Sequence, residues 1–268
     1  MPSSVQESNK DGLMAAHEDI AGIDVVKGEN NTRIIKLTDS KGKEAFITVN
    51  DHNQIIEYEN NELTSMPENF LRYTYTLEKI TTPHVQTMGQ NSLQINKLRE
   101  LNTPELKIMQ KCCLEYCTSL TSVALDSLEQ MGSACFEETS LTRLSLPKAK
   151  IIGSDSLRVS ELKSFSGPVL EHLGQHCFSD SNKITRINTP NLKTIGDDCF
   201  SSKSLFAWAR LGLQLKAAGT RVLKYDQQQE DFNPEIPPKT LTATAAQTQT
   251  GTPENNSKTA IHEEEYTM

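Results

Sequence analysis

The side chains best suited to hold a metal ion are two histidines and two cysteines in the second half of the chain. His172 and His176 stand four residues apart, Cys177 follows directly, and Cys199 comes one repeat later. Imidazole and thiolate are ligands that zinc prefers, but zinc sites normally show paired ligands at short, fixed spacings. We therefore interpret the histidines as solvated turn residues, and the sequence predicts no metal and no cofactor.

Nucleophilic chemistry would depend on Cys112 and Cys113, the one pair of adjacent cysteines. A reactive thiol needs a base or a positive charge beside it, and no histidine is placed near this pair in the chain's pattern. The phosphate-loop, HExxH, GxSxG and paired CxxC motifs are also absent. The sequence therefore predicts a protein that is not an enzyme.

The charge of the chain lies in its two ends. Residues 1–32 carry two basic and six acidic residues, and residues 217–268 carry four basic and eight acidic residues. These two segments account for the whole net charge of −8, so residues 33–216 are neutral. A neutral body without a basic stripe cannot neutralise a row of phosphates, so we expect no nucleic-acid partner.

The ends of the chain also bear on where it works. Met1 to Asp19 shows no apolar run behind a basic start, and no later stretch approaches the length of a membrane span. We therefore expect no Sec export and no membrane insertion, and we place the protein in the cytoplasm, with export by a non-Sec route as the alternative.

An apolar pattern recurs seven times between residues 55 and 204. In the copy that starts at Ile184, apolar residues stand at offsets 0, 3, 8, 11 and 16 from the first residue, with Pro190 at offset 6 and Gly196 at offset 12. The other copies, 21 or 22 residues apart, start at Ile55, Leu77, Leu98, Leu120, Leu141 and Leu162. A fixed period of this length is typical of a solenoid, in which each coil buries its apolar face against its neighbours. We number these copies coils 1 to 7.

Each coil is predicted to contain a short strand from offset 2 to offset 5, ended by proline at offset 6. Offset 3 then faces the core and offsets 2 and 4 face solvent. Glycine at offset 12, as at Gly196, indicates a turn that needs either a positive φ or a close approach of two backbones. Offset 5 carries threonine or glycine in several coils, so we expect this inward position to bury less surface.

The segments outside the coils are predicted to be two caps and two tails. Residues 1–32 read as a flexible acidic leader, and residues 33–54 as a β-hairpin that caps the N-terminal end of the solenoid. Residues 205–219 place Leu205, Trp208, Leu211 and Leu215 on one helical face and predict a helical C-terminal cap. Residues 220–268, rich in Gln, Thr, Pro and Glu, predict a disordered acidic tail.

Four of the six cysteines, namely Cys113, Cys135, Cys177 and Cys199, occupy offset 15. This position favours a small, readily buried side chain, as Ser92 and Ser156 in other coils indicate. Adjacent coils are close enough for a disulfide, but equivalent side chains point the same way, which suits the S–S dihedral badly. We therefore predict reduced thiols and a reducing compartment.

The coils resemble the BspA-like, type-5 leucine-rich repeats. The run ITRINTPNLKTIGDDCF from Ile184, the run MGSACF from Met131 and the cysteine at Cys117 carry the resemblance, which covers about 150 residues. It implies a β-rich curved solenoid used for protein binding, often in surface or secreted proteins, and it implies no catalytic residues. The predicted fold is thus a β-rich, leucine-rich-repeat-like solenoid of about seven coils.

We predict that the exposed strand face binds a protein partner. Small side chains at offset 4 leave the backbone accessible, and the offset 2 row changes from acidic or mixed to basic along the array. The candidate binding residues are Lys79, Glu100, Asn102, Arg143, Arg186 and Asn188. A surface adhesin or host-directed effector exported without a Sec signal is the alternative function, and a polar strand face that binds nothing is the plainer alternative.

Overall fold

The computed structural model of the chain describes residues 13, 15–17, 19–158 and 160–200. Within these residues the chain forms β1 (Ile20–Lys27), β2 (Arg33–Asp39), β3 (Glu44–Val49), β4 (Ile55–Glu59), β5 (Ser65–Met66), β6 (Lys79–Thr81), β7 (Thr87–Met88), β8 (Glu100–Asn102), β9 (Ile108–Met109), β10 (Gln130–Met131), β11 (Arg143–Ser145), β12 (Ile151–Ile152), β13 (Ser164–Ser166), β14 (His172–Leu173), β15 (Arg186–Asn188) and β16 (Thr194–Ile195). The β-rich solenoid predicted from the sequence is confirmed.

The N-terminal cap is the predicted hairpin, joined by one strand that was not predicted. Strands β2 and β3 pair antiparallel, and β3 pairs antiparallel with β4, the strand of coil 1. The hairpin thereby covers the edge that coil 1 would otherwise expose, which confirms its role as a cap. Strand β1 pairs antiparallel with β2, so the prediction of a flexible leader is wrong for residues 20–27. Its apolar residues Ile23, Val25 and Val26 are all exposed, so the segment lacks the alternation of apolar and polar residues that predicts a strand.

Seven rungs of a parallel sheet run the length of the solenoid. They are β5, β7, β9, β10, β12, β14 and β16, at offsets 10 and 11 of coils 1 to 7, and each pairs with the next in register. Seven rungs enclose six full turns of 21 or 22 residues. The repeat count made from the sequence therefore agrees with the coils of the structure, of which the last is described as far as Phe200.

The strands at offsets 2 to 4 form a second side of the solenoid, and this side is interrupted. Strands β4, β6 and β8 continue the cap's sheet through coil 3, and β11, β13 and β15 form a separate three-stranded sheet in coils 5 to 7. Coil 4 has no strand at Ser122–Ala124, which corrects the prediction of one strand per coil. Serine and alanine flank Val123 there, and alanine is depleted from strands.

The core is the stack of inward side chains that the offsets predict. Buried residues at offsets 0, 3, 8, 11 and 16 from successive coils form one continuous cluster, with Leu77, Ile80, Val85, Met88 and Leu93 of coil 2 each fully buried. Offset 5 differs from the expectation of reduced burial. Thr82, Thr103 and Thr189 are as buried as the apolar residues, and their hydroxyl groups have no hydrogen-bond partner.

Glycine at offset 12 is required by close approach of backbones and not by its φ angle. A Cβ added to Gly174 would lie 2.4 Å from the Ser154 nitrogen and 2.6 Å from the Gly153 carbonyl carbon. Gly196 meets Gln175 at 2.3 Å in the same way, whereas Gly42 is the one described glycine with a positive φ. Of the two predicted explanations for Gly196, positive φ is wrong and close approach is correct.

Offset 14, two residues later, has a positive φ angle in all seven coils. The residues there are Asn69, Asn91, Cys112, Ala134, Asp155, His176 and Asp198, with φ between 51° and 58°. The left-handed region is strained for most L-residues, and asparagine and aspartate tolerate it because their side chains bond locally. Four of the seven residues are Asn or Asp. Their frequency at offset 14 indicates that the backbone must be left-handed there, which the apolar pattern does not show.

In coils 2 to 7, offset 15 holds a small hydrogen-bond donor, and not merely a small side chain, whereas coil 1 carries Phe70 there. Each such residue donates to the offset 12 carbonyl of the preceding coil: Ser92 to Pro67 (2.9 Å), Cys113 to Gly89 (3.1 Å), Cys135 to Gln110 (3.0 Å), Ser156 to Gly132 (2.7 Å), Cys177 to Gly153 (3.0 Å) and Cys199 to Gly174 (2.8 Å). Serine and cysteine are interchangeable here because both supply a donor of this length. All six cysteines of the chain are free of disulfides.

The predicted helical C-terminal cap at residues 205–219 and the acidic tail at residues 220–268 lie outside the described residues. So do most of residues 1–18.

We expect Gly174→Ala to lower the free energy of unfolding by about 1–3 kcal/mol, because the new methyl group forces two coils apart. Urea unfolding followed by circular dichroism would measure the change. Gly22→Ala is the matched control, since its added Cβ would meet only the Thr38 Cβ at 3.8 Å. Equal stability of the two variants would contradict the close-approach explanation.

We expect Ala134→Asn to raise the free energy of unfolding by about 0.5–1 kcal/mol, because asparagine adopts the left-handed conformation with less strain than alanine. The same urea titration would measure this gain. Ala124→Asn, at an exposed position with an ordinary φ, serves as control and should give no gain. A loss of stability in Ala134→Asn would show that φ at offset 14 does not limit the coil.

Candidate protein-binding face

The six residues predicted to bind a partner fall into two separate groups. Lys79, Glu100 and Asn102 lie on β6 and β8, next to the N-terminal cap. The other three, Arg143, Arg186 and Asn188, lie on β11 and β15, beyond the interruption at coil 4. The structure therefore brings the six residues to one side of the solenoid but to two different sheets.

In the N-terminal group the charges largely compensate each other. Lys79 and Glu100 occupy directly paired positions of β6 and β8, and Nζ of Lys79 lies 3.8 Å from Oε2 of Glu100. The two side chains are about half and more than half exposed, so the pair adds little to stability. Part of the predicted basic row is thus already engaged within the protein.

The C-terminal group lines a groove. A cavity of about 690 Å³ opens over coils 4 to 7, and its walls are Ser122, Val123, Arg143, Leu144, Ser145, Ser164, Phe165, Ser166, Thr185, Arg186, Ile187 and Asn188. Parallel pairing fixes its geometry, because Arg143 pairs with Ser164 and Ser164 pairs with Arg186. The two arginines therefore stand two rungs apart on one row, with a serine between them.

Two serines of coil 6 are more buried in the groove than the equivalent residues of coil 5. Ser164 and Ser166 are half-buried, whereas the equivalent residues of coil 5, Arg143 and Ser145, are exposed. Asn188 donates from Nδ2 to Oγ of Ser166 over 3.4 Å. Side chains of coils 5 and 7 thus rise as walls on both sides of a row of hydroxyl groups.

Sequence reasoning missed several groove residues. Ser145, Ser164 and Ser166 stand in the two solvent-facing rows, and their small size was noted without their being assigned to the site. Thr185 lies at offset 1, a row that the strand pattern did not include. Pairing the coils position by position would have found the serines, since Ser164 is the residue that separates the two arginines in register.

The side chains of Arg143 and Arg186 have no ion-pair or hydrogen-bond partner among the described residues. Two nearby lysines, in contrast, form ion pairs: Lys183 pairs with Glu161, and Lys193 Nζ lies 2.5 Å from Glu171 Oε2. The residues that line the groove include no carboxylate. A net positive groove thus opens on a chain whose net charge is −8.

The candidate metal ligands are not brought together. His172 Nδ1 lies 2.8 Å from Oγ1 of Thr194, and Cys177 points into the core. His176 lies between two carboxylates, 3.7 Å from Asp155 and 3.8 Å from Asp198. In the described part of the chain, no group of three or more His, Cys, Asp or Glu side chains stands close enough to hold a metal ion.

Four of the six thiols are held in their protonated form. Burial, reinforced by the neighbouring carboxylate of Glu115, raises the pKa of Cys112 to about 12, and burial raises the pKa of Cys117 to about 12. Burial also raises the pKa values of Cys135 and Cys177. A nucleophilic cysteine needs a lowered pKa, so these thiols have the character of structural residues.

A row of polar and charged side chains stands at offset 17 of coils 1 to 5. Arg72 donates from Nε to Oε1 of Gln94 over 2.5 Å, Gln94 donates to Glu115, and Arg158 donates to Glu137. The two glutamates are buried on adjacent coils. Burial raises the pKa of Glu137, Arg158 opposes that shift, and the charge of Glu115 adds to it.

This row predicts a pH-dependent gain from Glu115→Gln. Glu137 has a folded-state pKa above its ordinary value of 4.5, so its contribution to stability is present below that pH and is lost as the pH rises through the folded-state pKa. Removing the charge of Glu115 lowers the pKa of Glu137. The variant should therefore gain about 1 kcal/mol over the wild type as the pH rises from about 4.5 to 7.

Unfolding by urea at a series of pH values would measure the difference between the two proteins. Glu129→Gln, at an exposed position without an ion pair among the described residues, is the control and should track the wild type. A difference between Glu115→Gln and wild type that does not change with pH would contradict the coupling of the two glutamates.

None of the helices in the described residues has the length and apolar character needed to cross a membrane.

Comparison with known proteins gives a family for the repeats. No curated protein matches the chain. The family described as BspA type leucine rich repeat region matches in six copies, over residues 30–121 and 94–207, which together make up more than half of the chain. The matched residues span the hairpin cap and the seven coils, so the resemblance seen in the repeat pattern is confirmed. The chain belongs to the BspA type leucine rich repeat family.

Proposed function

We propose that the protein is a non-enzymatic interaction module that holds a protein partner along the strand face. The observation that carries the proposal is the groove over coils 4 to 7, which gathers side chains from four consecutive coils on the face where the sequence placed Arg143, Arg186 and Asn188. Families of leucine-rich repeats are typically interaction or adhesion modules, which agrees with this function.

The shape of the face supports binding of a large partner. Strands of three residues, each paired in register, fix the backbone of this face, so that it does not need to be ordered on binding. Side chains at offset 4 are small in the C-terminal sheet, where Ser145 and Ser166 leave the backbone accessible. Repeat proteins use extended surfaces of this kind to bind other proteins.

The chemistry of the described residues supports binding over catalysis. Four of the six thiols have raised pKa values, and His172 and His176 have partners other than a nucleophile. A catalytic site requires a nucleophile, a base and an orienting group within hydrogen-bond reach of each other. The groove instead offers two arginines, hydroxyl groups and one amide, which are groups that recognise a partner.

Adhesion or action on a host after export by a non-Sec route is the second candidate. The family match favours this candidate, because the resemblance to this family implies a surface or secreted protein. We favour the cytoplasm, because buried thiols without disulfides fit a reducing compartment. Cell fractionation that finds the protein only outside the cell or at its surface would favour the second candidate.

We expect a photo-crosslinking side chain at Ser145 to capture a discrete protein in living cells, because Ser145 is exposed within the groove. The same side chain at Lys150 is the matched control, since Lys150 is an exposed residue of coil 5 outside the groove. The captured protein would then be purified and its affinity measured by titration calorimetry.

Binding of the purified partner should weaken at least about tenfold when Lys79, Arg143 and Arg186 are all changed to glutamate, because charge reversal opposes a matched surface. Crosslinks only from position 150, or unchanged affinity of the triple variant, would reject the strand face as the binding surface.

A further inference from the structure

We propose that the groove binds an extended acidic segment of the partner, with one carboxylate lying over Ser164 between Arg143 and Arg186. This inference rests on the proposed function and deepens it, because it names the half of the face that carries binding and the chemistry of the ligand. The parallel register of β11, β13 and β15 is what brings the three residues into one row.

The spacing suits a clamp on a single anionic group. Neighbouring strands of a sheet lie about 4.8 Å apart, so the Cα atoms of Arg143 and Arg186 are separated by about 10 Å. Each guanidinium has to reach over only one rung to arrive above Ser164. Because Ser164 is small and half-buried, the space above it is open.

The donors at this point match a carboxylate. A guanidinium presents its N–H groups in a planar fork that can bind a carboxylate through two parallel hydrogen bonds. The hydroxyl groups of Ser164 and Ser166 lie on the floor below, and either can donate to the ligand. The amide of Asn188, which now donates to Ser166, adds a further donor on the same wall.

The charge distribution selects for an acidic ligand. Arg143 and Arg186 have no acidic partner among the described residues, and the groove lining contains no carboxylate. On the same face near the N-terminal cap, Lys79 is already paired with Glu100. An incoming carboxylate therefore meets two free cations in coils 5 to 7 and a compensated pair in coils 2 and 3.

The ends of the groove indicate that the ligand is a peptide and not a free anion or a nucleic acid. Val123 and Ile187, at offset 3 of coils 4 and 7, are partly buried and line the groove, so they offer apolar contact to neighbouring side chains of a chain segment. Two cations are too few to follow a phosphate backbone, whose binding depends on neutralising several phosphates in a row. An extended segment that carries an acidic residue between apolar ones fits these features.

Fluorescence anisotropy with the full-length protein would test the inference directly. The probes are three labelled ten-residue peptides of one sequence, with apolar residues around a central pair of glutamates, glutamines or lysines. We expect the glutamate peptide to bind at least about tenfold more tightly than the other two, and we expect its binding to weaken as salt screens the charges.

The protein variants are Arg143→Glu with Arg186→Glu, and Lys148→Glu with Lys150→Glu as a control of equal charge change on exposed lysines of coil 5. The arginine variant should lose at least about tenfold in affinity, and the lysine control should stay within about twofold. Arg143→Lys with Arg186→Lys should fall between wild type and the charge reversal, because lysine keeps the charge but not the planar fork.

Several results would overturn the inference. They are equal binding of the glutamate and glutamine peptides to wild type, full binding to the arginine double variant, or binding of a phosphoserine peptide but not of the glutamate peptide. The first and third use only wild-type protein, so they hold even if a variant folds poorly. Crosslinking at Ser145 to a partner without an acidic segment would reject this inference and leave the proposed function intact.

Discussion

The backbones of adjacent coils approach closely at offset 12, and the arrangement of the other rows depends on this contact. There the chain of one coil passes within bonding distance of the next, with the Gly174 nitrogen donating to the Ile152 carbonyl over 2.8 Å. A Cβ added to Gly174 would lie too close to the backbone of the preceding coil, and the offset 12 carbonyls receive the offset 15 donors. Stacking, turn geometry and the choice of serine or cysteine therefore have one physical origin, the need to bring two backbones together.

This constraint explains why so little of each coil is free to vary. Inward positions fill the core, the corner holds glycine in five coils and a small donor in six, and offset 14 accepts a left-handed residue. The solvent-facing positions at offsets 2 and 4 are restricted by none of these demands. Differences between coils at those positions, such as Lys79 against Arg143, are therefore where recognition of a partner can be encoded without loss of the fold.

The sequence predicted the fold well because apolar burial repeats with a fixed period that can be read directly. It predicted the right row for Gly196 but could not choose between positive φ and close approach, since both favour glycine and only the distance to the next coil separates them. Threonine at offset 5 was expected to bury less, but Thr82 is forced inward by the same backbone path as leucine in other coils. Whether a segment forms a strand also depends on the strand that it pairs with, and a local sequence pattern does not show this. The missing strand of coil 4 and the additional strand at Ile20–Lys27 are two examples.

The candidate site was predicted in part. The exposed rows gave Arg143, Arg186 and Asn188, but a list of positions did not show that the face is divided at coil 4, or that Lys79 is paired with Glu100. Both facts arise from contacts between coils. The groove, with its two serines and its unpaired arginine side chains, thus depends on the register in which neighbouring coils pair. That register is fixed by the backbone contact at offset 12.

A crystal structure of the full chain bound to an acidic ten-residue peptide would test the central claim most directly. It should show a carboxylate above Ser164 within hydrogen-bond distance of both the Arg143 and the Arg186 guanidinium groups. A peptide bound along the other side of the solenoid, on the sheet of β5 to β16, would contradict that claim. So would a register in which Arg143 and Arg186 are not aligned with Ser164.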